Sequence, residues 1–160
     1  MVVILMGVTG AGKTTVGSAL AEQLGWKFVD ADDYHSAVNV AKMRAGISLT
    51  DRDRIPWLAS LREAIKSWLA AGENVALACS ALKSSYRRIL LTSPEVKLVY
   101  LRASRELVAQ RLATRQNHYM NPQLIDSQFA TLEEPVDAVT VDAALTTNDA
   151  VLKIRQALAI

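Results

Sequence analysis

The sequence is poor in the features that secreted and membrane-spanning proteins rely on. Its 160 residues include one cysteine, Cys79, which excludes an internal disulfide framework and favours a reducing compartment. No apolar run approaches the roughly 20 residues that a transmembrane helix needs. The first predicted strand begins at Val2, which leaves no charged region for a signal peptide. We therefore expect a cytoplasmic protein with no membrane partner.

An excess of charge of one sign is also lacking. The net charge is +2, and acidic and basic residues are mixed throughout, so no basic face favours a nucleic-acid partner. Small molecules are the expected partners. The chain has neither an internal repeat nor a linker, and its 51% hydrophobic content suits one compact core. We expect a single domain over residues 1–160.

What the sequence does contain is a phosphate-binding motif near its start. Residues 2–6 form an apolar run that is typical of a strand buried on both faces of a parallel sheet. The pattern G-x-x-x-x-G-K-[ST] follows, in which backbone N–H groups surround phosphate oxygens. We expect the nucleotide to bind Gly7, Val8, Thr9, Gly10, Ala11, Gly12, Lys13, Thr14 and Thr15.

Two side chains of this motif have predicted chemical roles. Lys13 supplies a mobile positive charge, and the Thr14 hydroxyl is placed to ligate Mg²⁺. The helix that follows directs the positive end of its dipole at the same phosphates. A chance match is expected in roughly one chain in two hundred of this length, and the strand before and helix after make chance less plausible still. The motif predicts a nucleoside triphosphate site.

Carboxylates gather after the second predicted strand, which covers residues 26–29. Asp30 and Asp32 follow it, and Asp33 is as well explained by capping the next helix. Ligands of open α/β sheets bind at the carboxyl ends of strands, so these carboxylates should lie near the phosphate loop. Side chains alternate along an extended chain, which gives Asp30 and Asp32 one direction. We expect Asp30 to serve the metal and Asp32 to orient or deprotonate an acceptor hydroxyl.

A pair of arginines lies on the apolar face of a predicted helix that Ser104 caps and that ends near residue 115. Arg111 and Arg115 fall among apolar side chains, so we expect them to point inward and to meet phosphate. The alternative is that their stems pack while their charged heads reach solvent. The polar stretch that follows suits a mobile lid, which we place at about residues 115–125.

The remaining pattern favours a small phosphotransferase. The third and fourth predicted strands, residues 75–79 and 96–101, do not end in the aspartate usual in ATP-driven motors, and no Asn-Lys-x-Asp guanine reader is present. Other predicted elements are a weak helix over 34–45, an amphipathic helix over about 50–71 with its tryptophans in the core, a short helix that bears Tyr86 and Arg87, a helix over 124–132, a fifth strand over 136–141, and a last helix capped by Thr147 or Asn148.

Two stretches resemble the signatures of the gluconokinase family and extend the resemblance over nearly the whole chain. The first runs from Asp32-Asp33-Tyr34-His35 through Asp53-Arg54 to Pro56-Trp57-Leu58, and the second is Cys79-Ser80-Ala81-Leu82-Lys83 with Tyr86-Arg87. The segments His118-Tyr119-Met120, Ser127-Gln128-Phe129 and Thr131-Leu132-Glu133 resemble the lid and following helix of that family. Ser36, Leu91 and Asn117 depart from its pattern.

The resemblance implies a nucleoside-monophosphate-kinase-like P-loop fold of the α/β class. Its five-stranded parallel sheet would have the order 2-3-1-4-5 with flanking helices, and the protein would often be a homodimer. The implied reaction uses ATP and Mg²⁺ to phosphorylate the 6-hydroxyl of D-gluconate. The implied catalytic residues are Lys13, Asp32, Arg111 and Arg115, the metal ligands are Thr14 and Asp30, and the substrate would bind Asp32, His35, Arg54, Lys83 and Arg87.

Two other functions stay open at this point. A shikimate-type kinase also follows its second strand with paired aspartates, but it lacks the Asp-Arg-x-Pro-Trp and Cys-Ser-Ala-Leu-Lys stretches. A catalytically silent nucleotide-binding regulator would not need to retain Lys13, Asp32 and the two inward arginines. His35 has two interpretations as well, since its ring could bind substrate hydroxyls or cap its own helix.

Overall fold

The computed structural model describes residues 1–114 and 122–160. In chain order the elements are β1 (Val2–Met6), α1 (Lys13–Leu24), β2 (Lys27–Asp30), a 3₁₀ turn (Ala31–Tyr34), α2 (Ala37–Arg44), α3 (Asp51–Ala70), β3 (Val75–Ala78), α4 (Ser84–Leu90), β4 (Val96–Arg102), α5 (Arg105–Ala113), α6 (Pro122–Thr131), β5 (Val139–Asp142) and α7 (Thr147–Leu158). Most of the predicted lid at 115–125 lies outside the described residues.

The five strands form one parallel sheet in the order β2-β3-β1-β4-β5, which confirms the predicted order. Alternate residues of β1 point to opposite faces: Val3 and Leu5 join one hydrophobic cluster, whereas Val2, Ile4 and Met6 join the other. Both faces are thus covered, which explains the uninterrupted apolar run. β2 and β3 lie on one side of β1, whereas β4 and β5 lie on its other side. Sheets in which the strand order changes direction in this way bind ligands in the crevice at the carboxyl end of the strands at that point.

The helix predicted over residues 34–45 is confirmed as α2 over residues 37–44, but its predicted start is wrong, because two side chains divide the segment. The Asp30 carboxylate accepts the N–H of Asp32 and starts the 3₁₀ turn. The Ser36 hydroxyl accepts the N–H of Asn39 and caps a separate helix, α2. His35 lies between the two elements with an extended backbone, which frees its ring from either helix.

Two predicted boundaries near the C-terminus are also wrong. The fifth strand begins at Val139 and not at residue 136, since its register with β4 starts at that residue and Val136 is 92% exposed. The last helix is capped by Thr146 and not by Thr147 or Asn148, because the Thr146 hydroxyl accepts the N–H of Asp149. A threonine three residues before an acidic residue is a recognised capping signal, and Thr146 also donates to Asp149.

The core positions predicted for the cysteine and two tryptophans are confirmed. Trp57 and Trp68 of α3 are 4% and 6% exposed. Cys79 is buried directly after β3, and this burial raises the pKa of its thiol to about 12. Within the described part of the chain, no helix is long and apolar enough to cross a membrane.

Candidate active site

The phosphate loop, residues 7–15, joins the central strand to the start of α1. Gly10 and Gly12 have φ angles of +76° and +97°, a region that side-chain-bearing residues rarely adopt. A Cβ on Gly7 would lie 2.8 Å from the carbonyl oxygen of Leu101, so the close approach of β1 and β4 also requires glycine. The loop therefore turns tightly at the amino end of a helix, where N–H groups and the helix dipole favour an anion.

Thr14 connects the phosphate loop to the carboxylates that follow β2. Its hydroxyl donates to Asp30 Oδ2 at 3.3 Å, and the other carboxylate oxygen of Asp30 accepts the N–H of Asp32. A hydroxyl beside a carboxylate is an oxygen donor set that suits Mg²⁺. Among residues 1–114 and 122–160, no group of three His, Cys, Asp or Glu side chains could hold a metal ion. The pair fits an ion that is bound jointly with phosphate oxygens, as Mg²⁺ commonly is.

Lys13 crosses the phosphate loop from the first turn of α1. Its Nζ donates to the carbonyl oxygen of Val8 at 2.9 Å. The side chain therefore folds back along the loop toward the segment that leaves β1. Its charge also acts on Asp32, where it opposes the other influences on that carboxylate.

Asp32 has the electrostatic environment of a base. Partial desolvation by the surrounding protein, together with the neighbouring Asp30 carboxylate, raises the pKa of Asp32 above its ordinary value of 3.8. At the same time 74% of its side-chain surface remains open to solvent. A carboxylate with a raised pKa that an acceptor can reach is suited to proton abstraction.

His35 faces Asp32 and is held on two other sides. Its Nε2 lies 3.9 Å from Asp32 Oδ1, and its ring stacks on Trp57 with centroids 4.4 Å apart. The Asn39 amide nitrogen lies 3.4 Å from His35 Nδ1 and donates to the Asp53 carbonyl oxygen at 2.9 Å. Because an amide NH₂ only donates, Nδ1 accepts, and the ring hydrogen is on Nε2 toward Asp32. Burial, with Arg54 adding to it, lowers the pKa of His35 and keeps the ring neutral near pH 7.

Asn39 is a site residue for which the sequence analysis assigned no role. It is a buried polar side chain, 6% exposed, in the first turns of α2. One signal was present in the sequence: Asn39 lies within the stretch that resembles the first family signature. Helical spacing does not explain the contact of Asn39 with His35, because His35 precedes α2.

The predicted substrate cations Arg54 and Lys83 come together around the Tyr86 side chain, each 5.7 Å from the centroid of its ring. Lys83 Nζ lies 2.9 and 3.0 Å from the two oxygens of Asp51, and the Tyr86 hydroxyl donates to the same group. Arg54 Nη1 donates to the Leu49 carbonyl at 2.6 Å and lies 3.4 Å from the Tyr86 hydroxyl. Tyr86, then Lys83, lower the pKa of Asp51 through hydrogen bonds. Asp51, Arg54, Lys83 and Tyr86 are called the Asp51 cluster below.

Arg87 contacts the loop of residues 79–83, which we call the acceptor loop because it includes Lys83, a predicted substrate residue. It is 7% exposed, and its Nη1 donates to the carbonyl oxygens of Ala81 and Leu82 at 3.0 and 2.9 Å. Ala81 has a φ of +42°, a strained conformation for a residue other than glycine. The structure therefore gives the Arg87 guanidinium a backbone partner within the protein.

The inward placement of Arg111 is confirmed, and its described partners are carbonyl oxygens. Its Nη1 lies 3.1 and 3.2 Å from the oxygens of Gly10 and Ala11, and its Nη2 lies 2.5 Å from that of Ala143. The guanidinium thus connects the phosphate loop to the segment after β5. Arg115, the second predicted arginine, lies outside the described residues.

A cavity of about 300 Å³ adjoins Arg111 at the edge of the phosphate loop. The segment after β5 lines its far side, a contribution that the sequence analysis missed although it too follows the carboxyl end of a strand. This concave space next to the phosphate loop has the size of a small-molecule pocket. Its lining includes Gly12, Thr15, Arg111, Asp142, Leu145 and Thr147.

Comparison with known proteins first defines the class. A family model described as an AAA domain matches residues 2–138. With the phosphate loop and the parallel sheet, this match makes the chain a P-loop nucleotide-binding protein. Shikimate kinase from Aquifex aeolicus has the same fold, with a TM-score of 0.62 at 16% identity over 99% of this chain and 96% of that one.

More similar proteins define the family. The probable gluconokinase of Rattus norvegicus is 46% identical over 84% of this chain and 83% of its own length. The thermosensitive gluconokinase of Escherichia coli K12 is 43% identical over 96% and 88%. The crystal structure of a gluconokinase from Sinorhizobium meliloti 1021 superposes with a TM-score of 0.88, at 41% identity over 98% and 90%. The chain belongs to the gluconokinase family.

Proposed function

We propose that the protein transfers the γ-phosphoryl group of ATP to the 6-hydroxyl of D-gluconate, giving 6-phosphogluconate and ADP. One observation carries this proposal: Asp32, a carboxylate with a raised pKa, adjoins both Asp30, which binds Thr14 of the phosphate loop, and His35. Lys13 acts on Asp32 electrostatically from the loop, and His35 lies beside Asp32 while Arg54 acts on His35 from the cluster. An anion-binding loop, a base and a second cationic site thus adjoin one another.

The phosphate loop holds the nucleotide mainly with its backbone. Arg111 binds the Gly10 and Ala11 carbonyls, which leaves the N–H groups of the loop for the phosphates. Lys13 exchanges the Val8 carbonyl for phosphate oxygens and stabilises their charge. Thr14 and Asp30 would hold Mg²⁺, which when bound neutralises charge on the phosphates. Arg115 is a further proposed contact to the transferring group.

Asp32 positions the acceptor and receives its proton. The gluconate 6-oxygen attacks the γ-phosphorus while its hydrogen passes to the Asp32 carboxylate. A new oxygen–phosphorus bond forms, the bond to the β–γ bridging oxygen breaks, and its electron pair leaves with ADP. The Nε2–H of His35 points toward Asp32, and we propose that it donates a hydrogen bond to an acceptor hydroxyl. Because the His35 ring is neutral, it adds no positive charge that would lower the pKa of Asp32.

The carboxylate of gluconate is proposed to bind Lys83 and Arg54. Asp51 already receives a hydrogen bond from Lys83, so the site presents a cation with carboxylate-binding geometry. The substrate carboxylate would replace the Asp51 oxygens or share the donors with them. Arg87, which the resemblance also offers for this role, is proposed to act indirectly by supporting the acceptor loop.

A substrate panel tests the proposed function. ADP release is measured by a coupled assay with Mg²⁺ and gluconate, shikimate, other sugar acids and nucleoside monophosphates. We expect gluconate to have the highest kcat/KM. Equal or faster turnover of shikimate or a nucleoside monophosphate would overturn the proposal, and no turnover of any acceptor despite ATP binding would favour a silent nucleotide-binding regulator.

We also propose that residues 1–160 form one domain that assembles as a homodimer in the cytoplasm. The support is a single sheet with a hydrophobic cluster on each face, a family resemblance that often includes dimers, and a sole cysteine that is buried and reduced. Size-exclusion chromatography with light scattering tests the assembly. A mass near 17.4 kDa over the working concentration range would show a monomer.

A further inference from the structure

Helix α6 packs against the hydrophobic core near its start and just after its end. Ile125, near its start, is 5% exposed and belongs to one hydrophobic cluster. Leu132, which directly follows its last residue, packs against the clusters on both faces of the sheet. Because packed side chains hold α6 and the residue that follows it in place, Gln128 in the helix and Glu133 just after it are held at a fixed separation.

The middle of α6 contacts the phosphate loop through Gln128. The side-chain oxygen Oε1 of Gln128 accepts the backbone N–H of Thr9 at 2.9 Å, across 119 residues of sequence. Thr9 is the third residue of the phosphate loop, on the segment that enters it from β1. Gln128 therefore fixes the entrance of the loop relative to α6.

The segment that follows α6 contacts the acceptor loop through Glu133, two residues past the last helical residue. Its carboxylate oxygen Oε2 accepts the N–H of Ser84 at 2.7 Å, and its own N–H donates to the Leu82 carbonyl at 2.9 Å. These two bonds flank Lys83 on either side. The acceptor loop needs such support, because Ala81 has a φ of +42°.

A direct contact between the two loops completes a ring of hydrogen bonds. The N–H of Gly7 donates to the Ser80 carbonyl at 3.3 Å, at the point where β1 and β3 both end. The ring runs from Gly7 to Thr9, through Gln128 and Glu133 of the α6 region, and back along the acceptor loop to Ser80. Two loops that are joined at one point are thereby braced at a second.

We propose that α6 is a strut that sets the distance between the phosphate loop and the acceptor loop, with Gln128 and Glu133 as positioning residues. The inference rests on the proposed function, which gives those loops the phosphoryl donor and the acceptor. Transfer requires the two reacting atoms to be held in contact distance, so a loosened brace lowers the rate of transfer more than the binding of either partner. It also lets water compete with the acceptor for the phosphoryl group.

The experiment compares Gln128→Met, Glu133→Ala and the double variant with two controls. Gln128→Met keeps the length of the side chain and removes its acceptor, whereas Glu133→Gln keeps an acceptor oxygen for Ser84. Asp126→Asn, on the same helix, removes the partner that Arg105 Nε binds at 2.7 Å on the protein surface. For each variant, kcat, both KM values, the melting temperature and the amount of phosphorylated acceptor per ADP are measured.

We expect Gln128→Met to lower kcat about 5-fold, the equivalent of one neutral hydrogen bond, and Glu133→Ala to lower it about 10-fold or more. Both KM values should stay within about 3-fold, and the product-to-ADP ratio should fall below that of the wild type. The double variant should lose less than the product of the single losses, because each breaks the same brace. Glu133→Gln should recover most of the activity, and Asp126→Asn should resemble the wild type.

The proposal would be overturned if the Gln128 and Glu133 variants kept the wild-type product-to-ADP ratio and lost kcat only in proportion to the fraction of protein that is unfolded. Wild-type kcat in the double variant would overturn it as well. A failure of the proposed function is distinguished by the wild-type protein alone, which would then not phosphorylate gluconate. The same ratio would in that case be measured with the acceptor that the substrate panel identifies.

Discussion

The phosphate loop and the Asp51 cluster are both suited to holding an anion, but they are built differently. The loop consists of nine consecutive residues that use backbone N–H groups and need glycine at turns such as Gly10 and Gly12. The cluster joins side chains of α3 and the α4 region, 32 residues apart between Asp51 and Lys83. Lys83, one of the two cations of the cluster, already binds the Asp51 carboxylate.

The phosphate loop and the Asp51 cluster should therefore differ in how well they tolerate substitution and in how strongly they select one anion over another. Backbone donors persist through most substitutions, so the loop depends on its conformation and on the few side chains that maintain it. Side-chain donors are lost with a single substitution, and an anion that binds them must compete with Asp51. We infer that the loop supplies general phosphate affinity and that the cluster selects the acceptor.

The largest effect is expected where the two regions meet. Asp32→Asn should lower kcat by about 10² to 10⁴, the usual range for general-base assistance, and leave ATP binding intact. Asp30→Asn is the matched control, and it should instead raise the Mg²⁺ concentration needed for activity. Both are measured by titrating Mg²⁺ at saturating gluconate. Rescue of the Asp32 variant by extra Mg²⁺, with the Asp30 variant inert, would reverse the two assignments.

A second substitution tests whether the loop is independent of distant side chains. Arg111→Ala removes the donor to the Gly10, Ala11 and Ala143 carbonyls, so we expect kcat/KM for ATP to fall by about 10² and the melting temperature to fall as well. Steady-state kinetics and thermal unfolding measure the two effects. A large loss of stability with near-normal turnover would make Arg111 purely structural.

Two lysines allow the cluster to be tested with an internal control. Lys83 and Lys42 each lie 2.9 Å from an aspartate of α3, Asp51 and Asp53 respectively. Lys83→Met should raise the KM for gluconate about 10-fold with a smaller change in kcat, the low end for a charged hydrogen bond. Lys42→Met should leave that KM unchanged. Equal effects of the two variants would refute a role for Lys83 in acceptor selection.

The smallest effect is expected at the start of α3, where Asp53 lies close to Asp51 of the cluster. Hydrogen bonds from the Thr50 backbone and from Lys42 lower the pKa of Asp53 to about 2, below the 3.8 of an unperturbed aspartate. A lowered pKa stabilises the fold above pH 3.8, and this contribution disappears as the pH falls through about 2. The wild type should therefore have a higher melting temperature than Asp53→Asn at pH 6. This difference should shrink as the pH falls from 3.8 to about 2. A pH-independent difference in thermal unfolding would contradict this origin.

The sequence by itself determined the parts of the protein that depend on local pattern. The phosphate loop, the buried strands and the paired carboxylates after β2 could all be predicted, because glycine conformation and side-chain periodicity act over a few residues. The strand order followed from a family resemblance and is confirmed. Boundaries failed where one capping side chain decided them, as at Ser36 and Thr146.

Only the tertiary structure decided which partner each polar side chain takes. Periodicity predicted that Arg111 points inward, but not that it binds the carbonyls of the phosphate loop. Nor could spacing reveal that Gln128 meets Thr9 across 119 residues, or that Asn39 orients His35. A hydrogen bond depends on distance and direction in three dimensions, and residues far apart in sequence obtain both only when the sheet and its helices have packed.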